Sequence, residues 1–101
     1  MNSKPPWVYK IVIDKKVIKD LKKIDKVWQE KILEKIDDFL TQAPYDGKKL
    51  VGNLSNFYRV RVGNYRIIYE IIDEIVTVEV IKISHRKNVY NWSTMRMGAI
   101  F

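Results

Sequence analysis

The stretch FYRVRVGNYRIIYEI, Phe57 to Ile71, constrains the fold more than any other part of the chain. Gly63-Asn64 is a two-residue hairpin loop, a type of turn that needs positive φ and whose twist matches that of the flanking strands. A loop of that length fixes the pairing. Val62 lies opposite Tyr65, Arg61 opposite Arg66, Val60 opposite Ile67 and Arg59 opposite Ile68. Side chains alternate along a strand, so Tyr58, Val60, Val62, Tyr65, Ile67, Tyr69 and Ile71 share one face. That face is apolar and aromatic and is expected to meet helices. The opposite face carries Arg59, Arg61 and Arg66.

Like charges placed directly across a sheet destabilise it, by about 0.2–1 kcal/mol. A face made only for solubility would mix signs. Two readings therefore stand side by side. Glu70 and Glu79 could share the face and neutralise it in part, as an ordinary solvated surface. Alternatively, the arginines form a preorganised clamp for a phosphate and stabilise charge that develops during phosphoryl transfer.

The rest of the chain supplies a scaffold. WVYKIVID, Trp7 to Asp14, reads as a short strand, and Asp14 suits the N-cap of a helix beginning KKVIKDLKKI. Val17, Ile18, Leu21 and Ile24 recur at helical spacing, followed by a second series through Val27, Trp28, Ile32, Ile36, Phe39 and Leu40. Asp25 as a second cap would make these a helical hairpin. Pro44 and Asp46-Gly47 end the helical region. After the Gly63-Asn64 hairpin, Asp73-Glu74 turns the chain into a further strand, Ile75 to Ser84. The expectation is one α+β domain over residues 1–101: an N-terminal strand, a helical hairpin, then an antiparallel β-meander of about four strands in all. The helices cover one face, the N-terminal strand joins the far side of the sheet, and a short C-terminal segment follows.

At 101 residues there is room for one core only. The formal net charge of +7 attracts polyanions such as RNA, DNA, an acidic protein or an anionic membrane surface. The basic residues are unevenly typed: every one before Phe57 is lysine, and all five arginines come after it. Arginine offers a planar fork suited to phosphate, whereas lysine is a solvated point charge. The second half is therefore expected to carry the chemistry. With no cysteine and the single histidine His85, thiolate and multi-histidine metal sites are excluded. No signal peptide or membrane-spanning run is read, so no membrane partner and a cytoplasmic location are the expectations.

If Asp73-Glu74 is also a two-residue loop, Thr77, Glu79, Ile81, Ile83 and His85 fall on the arginine side. His85 would then stand beside the cluster, with Arg86 close by, and a histidine there suits proton transfer near neutrality. The alternative is a structural histidine. Tyr90 and Trp92 could stack a base or pack beneath the tail. Ile68, Ile72, Ile81 and Ile83 would leave apolar area on the arginine face, to be covered by the C-terminal tail or by a partner.

Taken in order, KKLVGNLSNFYRVRVGNYRIIYEI (Lys48 to Ile71) and VEVIKISHRKNVY (Val78 to Tyr90) closely resemble the RelE/ParE superfamily of toxins from toxin–antitoxin modules, and HRKNVY resembles the RelE branch more than the ParE branch. The resemblance implies a toxin that enters the ribosomal A site and cleaves mRNA without metal or other cofactor. The ribose 2′-hydroxyl attacks the adjacent phosphate, leaving a cyclic phosphate and a 5′-hydroxyl. By resemblance, Arg61, Arg66 and Arg86 bind the phosphate and its transition state, and Tyr90 stacks on or orients a base. Arg59, with Lys48, Lys49 and Lys87, would contact RNA. The best-known RelE branch has lysines where this chain has Arg59 and Arg61, one of them a proposed general base. Arginine is a poor base. Catalysis would then be chiefly electrostatic and geometric, with His85 in a supporting role.

The same resemblance implies neutralisation by a RelB-like antitoxin, a free monomer, and a hetero-oligomer with antitoxin. The rival readings are a ParE-like inhibitor of DNA gyrase acting by protein contact, and a degenerate toxin or RNA-binding domain without lethality.

Overall fold

The structure is a computed structural model and describes residues 8–85. Strand β1, Lys10–Ile13, leads through Asp14 into helix α1, Lys15–Lys22. Asp14 is the cap expected from the sequence: its carboxylate accepts from the Lys16 backbone N–H at 2.8 Å. Helix α2, Lys26–Lys35, starts after Asp25, whose side chain makes no capping hydrogen bond, and continues as a π-helical turn over Ile36–Leu40. The two series of apolar residues thus form a helical hairpin. A 3₁₀ turn at Pro44–Asp46 then brings the chain to the sheet.

The sheet has five strands in the order β1-β5-β4-β3-β2. Strand β3 spans Phe57–Val62, β4 Tyr65–Ile72 and β5 Thr77–His85. The strand missed in the sequence is β2, Lys48–Lys49, whose two residues pair antiparallel with Arg59 and Tyr58. A two-residue strand is too short to show alternation. Strand β1 takes the far edge, as expected, and pairs there parallel to β5.

Around Gly63 the register agrees with the sequence reading at every pair, from Val62 opposite Tyr65 to Arg59 opposite Ile68. Gly63 has φ +58°, and a Cβ there would come within 2.3 Å of the Trp28 ring. Only glycine allows both the turn and this close seat on α2. Trp28 also meets Tyr65 at 5.9 Å between ring centroids, so the hairpin tip is fastened to the helical layer.

The helix-facing side forms the core. Val17 and Leu21 of α1 meet Ile32, Ile36 and Leu40 of the second helical segment, and Ile67, Tyr69, Val78, Val80 and Ile83 of the sheet. Tyr69 is fully buried, yet its hydroxyl donates to the Pro44 carbonyl at 2.6 Å. Gly47 leaves the space for it, since a Cβ would fall 1.9 Å from that oxygen.

Strand β5 departs from expectation twice. The β4–β5 connection is not a two-residue loop but a 3₁₀ turn, Asp73–Ile75, closed by Val76 at φ 47°. Its longer length keeps the side-chain parity, so Thr77 and Glu79 still pair with Ile72 and Glu70 on the arginine side. The register then shifts between Ile68 and Tyr69: Tyr69 pairs with Val80, but Ile68 pairs with Lys82. Ile81 is the extra residue of a bulge, and it reverses the facing of everything after it. Ile83 enters the helix-side core, and His85 pairs with Tyr65 on that same side. The placement of Ile83 and His85 on the arginine face is thereby corrected. Lys82 and Ser84 take those positions.

Candidate phosphate-binding face

Two adjacent rows of side chains cross the sheet on the face away from the helices. One row runs Arg61, Arg66, Ser84 across β3, β4 and β5. The next runs Lys48, Arg59, Ile68, Lys82 from β2 to β5. Both rows exist because the two-residue turn fixes the parity of β3 against β4 and the bulge at Ile81 resets that of β5. Lys48 thus joins the arginines, as the sequence reading proposed for an RNA contact. Lys49 does not: it pairs with Tyr58, at a position of the opposite parity.

The neutralising alternative fails on geometry. Glu70 and Glu79 do share this face, but they pair with each other, one row beyond Arg59 and Ile68 and two beyond Arg61 and Arg66. Among the described residues, no carboxylate lies within ion-pair distance of Arg59, Arg61 or Arg66, whereas Lys82 reaches Asp20 of α1 at 3.5 Å. The Arg59 pKa is pushed down from its usual value, first by burial and then by the charges of Arg61 and Arg66. Burial and like charge both disfavour a protonated guanidinium. An anion placed between these groups would relieve both effects.

Two polar atoms of this face lack partners among the described residues. Arg66 Nε and Ser84 Oγ are both buried and make no hydrogen bond. Buried polar groups are nearly always satisfied within a fold, so an unpaired one calls for a reason. Ile68, 1% exposed, lies between the basic side chains of the second row. Like Leu54 and Pro44, it is a buried apolar residue outside the helix-side cluster.

His85 is turned away from the arginines. Its ring meets Tyr65 edge-on at 5.4 Å and extends the aromatic row from Trp28. Arg86, Lys87, Tyr90 and Trp92 lie outside the described residues. No group of histidine, cysteine or acidic side chains among the described residues could hold a metal ion, and none of the helices there is long and apolar enough to cross a membrane. The sequence reading missed Ser84 because a bulge intervenes. The signal was there: Val78 and Val80 alternate in one phase and Ile81 and Ile83 in the other, with Val80 and Ile81 adjacent at the change.

A helical hairpin on one side of a five-stranded, mostly antiparallel sheet is the architecture of a RelE-type toxin domain. The model of the ParE toxin of type II toxin–antitoxin systems matches residues 11–90. Toxin RelE3 of Methanocaldococcus jannaschii is 33% identical over 82% of this chain and 97% of that protein. The mRNA interferase toxin RelE of Escherichia coli is 27% identical over 88% of this chain and 97% of its own length. The toxin–antitoxin complex RelBE2 of Mycobacterium tuberculosis contains a chain that superposes with a TM-score of 0.73 at 28% identity, covering 77% of this chain and 98% of that one. The chain belongs to the RelE/ParE superfamily of toxins from type II toxin–antitoxin modules.

Proposed function

We propose that this toxin is a ribosome-dependent, metal-independent mRNA endonuclease that arrests translation. The observation that carries the reading is the direct pairing of Arg61 with Arg66 on the sheet face away from the helices, with no carboxylate of the described residues within ion-pair distance of either guanidinium. Support also comes from the relative named as an mRNA interferase.

In this reading the 2′-oxygen of a ribose attacks the adjacent phosphorus and the 5′-oxygen leaves. The 2′-proton passes to solvent, and the departing oxygen takes one up. The products are a cyclic phosphate and a 5′-hydroxyl. Arg61 and Arg66, with Arg86, stabilise the negative charge that builds on the non-bridging oxygens. Arg59 and Lys48 hold the flanking backbone, with Lys49 and Lys87 as outlying RNA contacts. Tyr90 stacks on or orients a base. An arginine pair cannot serve as a base at neutral pH, so alignment of the attack falls to the ribosomal A site. His85 supports the site through Tyr65, whose neighbour in sequence is Arg66. The partner is a RelB-like antitoxin, as in the Mycobacterium tuberculosis complex. The toxin is a monomer when free and a hetero-oligomer when neutralised, and it works in the cytoplasm.

The family match to ParE favours one alternative, inhibition of DNA gyrase by protein contact. Primer extension on translated messages after induction separates the two. New 5′ ends within codons, absent when translation initiation is blocked, are expected. Cleaved gyrase–DNA complexes with intact messages would establish the alternative instead.

A further inference from the structure

The row Arg61, Arg66, Ser84 ends in a hydroxyl whose presence the fold does not explain. Ser84 is 7% exposed, and its Oγ has no partner among the described residues. Leaving a buried hydroxyl unpaired destabilises a protein relative to an apolar group of the same shape. Alanine would fill the position without that cost. The neighbouring unpaired atom is the inner edge of a guanidinium, Arg66 Nε, on the residue directly opposite Ser84 in the β4–β5 ladder. Directly opposed residues place their Cβ atoms about 4.5–5.5 Å apart on the same face. Arg66 Nε and Ser84 Oγ, both without a hydrogen-bond partner among the described residues, therefore belong to neighbouring side chains of the basic face.

The arrangement defines what would fit. Arg66 Nε can only donate, and the Ser84 hydroxyl can donate as well as accept, so an acceptor suits both. Positive charge crowds the face, so the acceptor is anionic. A serine side chain is short and stays close to the sheet, so the accepting atom must reach the floor while the rest of its group meets Arg61 and Arg59 above. A tetrahedral phosphate oxygen does this, with its other oxygens left for the arginines. Lys82, at the end of the adjacent row, is engaged by Asp20 and does not compete.

We propose that Ser84 Oγ and Arg66 Nε together hold one non-bridging oxygen of the phosphodiester on which the site acts, which makes Ser84 a phosphate-binding residue of this toxin. The proposal rests on the endonuclease reading above. Its consequence is a trade between stability and function: the hydroxyl weakens the empty protein and strengthens the occupied one. A structural hydroxyl would do the reverse.

The test uses the full-length toxin with programmed ribosomes, measuring single-turnover cleavage and melting temperature on the same preparations. Ser84→Ala is expected to cleave about ten- to a hundredfold more slowly, the range for loss of a hydrogen bond to a charged acceptor. It is expected to melt no lower than the parent. Ser84→Thr, which keeps the hydroxyl, is expected to regain most of the rate. Replacing one of the two non-bridging scissile oxygens with sulfur should slow the parent more than it slows Ser84→Ala. Parental cleavage by Ser84→Ala would overturn the proposal, as would a rate loss matched by a lower melting temperature, or weaker antitoxin binding with unchanged cleavage. Arg66→Ala separates the two levels of the argument. If it abolishes cleavage while Ser84→Ala does not, only the assignment of Ser84 fails; if it leaves cleavage intact, the endonuclease reading fails as well.

Discussion

The two faces of one hairpin follow opposite rules. On the helix side Tyr69 is buried completely, and its hydroxyl still finds the Pro44 carbonyl, with Gly47 kept free of a side chain to let it in. On the other side Arg66 Nε and Ser84 Oγ are buried without partners among the described residues, and three arginines crowd together with no counter-charge of those residues within ion-pair reach. The same strands and the same backbone ladder carry both faces. The difference lies in what each face is complementary to. One is complete within the chain, whereas the other, in the function proposed above, is completed by an anion from outside. Polar groups left unsatisfied where the fold could have satisfied them mark where binding energy is held in reserve for a ligand.

This contrast has measurable edges, the largest on the helix side. Tyr69→Ala removes the centre of the core and is expected to cost about 3–5 kcal/mol in urea or thermal unfolding. If that variant kept its stability, the helix side would not be the closed face described here. Gly63→Ala strikes the tip where both faces begin. The left-handed φ and the Trp28 ring both oppose a methyl group, and a loss of about 1–3 kcal/mol is expected. A silent substitution would mean that the hairpin is not seated on α2.

Smaller effects should appear on the basic face without any cost in stability. Lys48→Ala is expected to leave the melting temperature in place, and to reduce the salt dependence of RNA binding by roughly one phosphate contact. Lys49→Ala, whose position has the other parity, should change that slope less. The smallest effect concerns a tyrosine pair. The Tyr9 and Tyr45 hydroxyls both donate to the Asp73 carboxylate, and Tyr45 has its pKa raised to about 12, first by that hydrogen bond. A raised phenol pKa means that the folded protein holds its proton longer than the unfolded chain does. This contribution to stability is therefore complete below pH 10 and lost between pH 10 and about 12. Absorbance titration at 295 nm should show the midpoint fall towards 10 in Asp73→Asn. No movement would remove Asp73 from the account.

Much of this fold was legible because one short turn determined a great deal. Gly63-Asn64 set the parity of twelve residues, and with it the core side, the basic side and the facing of Arg61 and Arg66. Helix periodicity and the Asp14 cap did the same for α1. Legibility ended where a single residue changed the phase. The bulge at Ile81 moved Ile83 and His85 to the helix side and brought Ser84 beneath Arg66, a change that strand propensity alone does not register. Strand β2 was hidden by its length, and the lack of ion pairs from Arg59, Arg61 and Arg66 to the described residues depends on side-chain reach, which no pattern of residue types encodes. The assignments to Arg86, Lys87 and Tyr90 rest on resemblance to the superfamily.

The central claim is that the arginine face serves a ligand and not the fold. The direct measurement is thermal unfolding of Arg66→Ala beside its rate of message cleavage on ribosomes, from one preparation. The account expects a melting curve no lower than the parent's and a cleavage rate reduced by about a hundredfold or more, as for loss of one preorganised transition-state donor. A variant that cleaves at the parental rate, or that loses activity only because it unfolds, would contradict it.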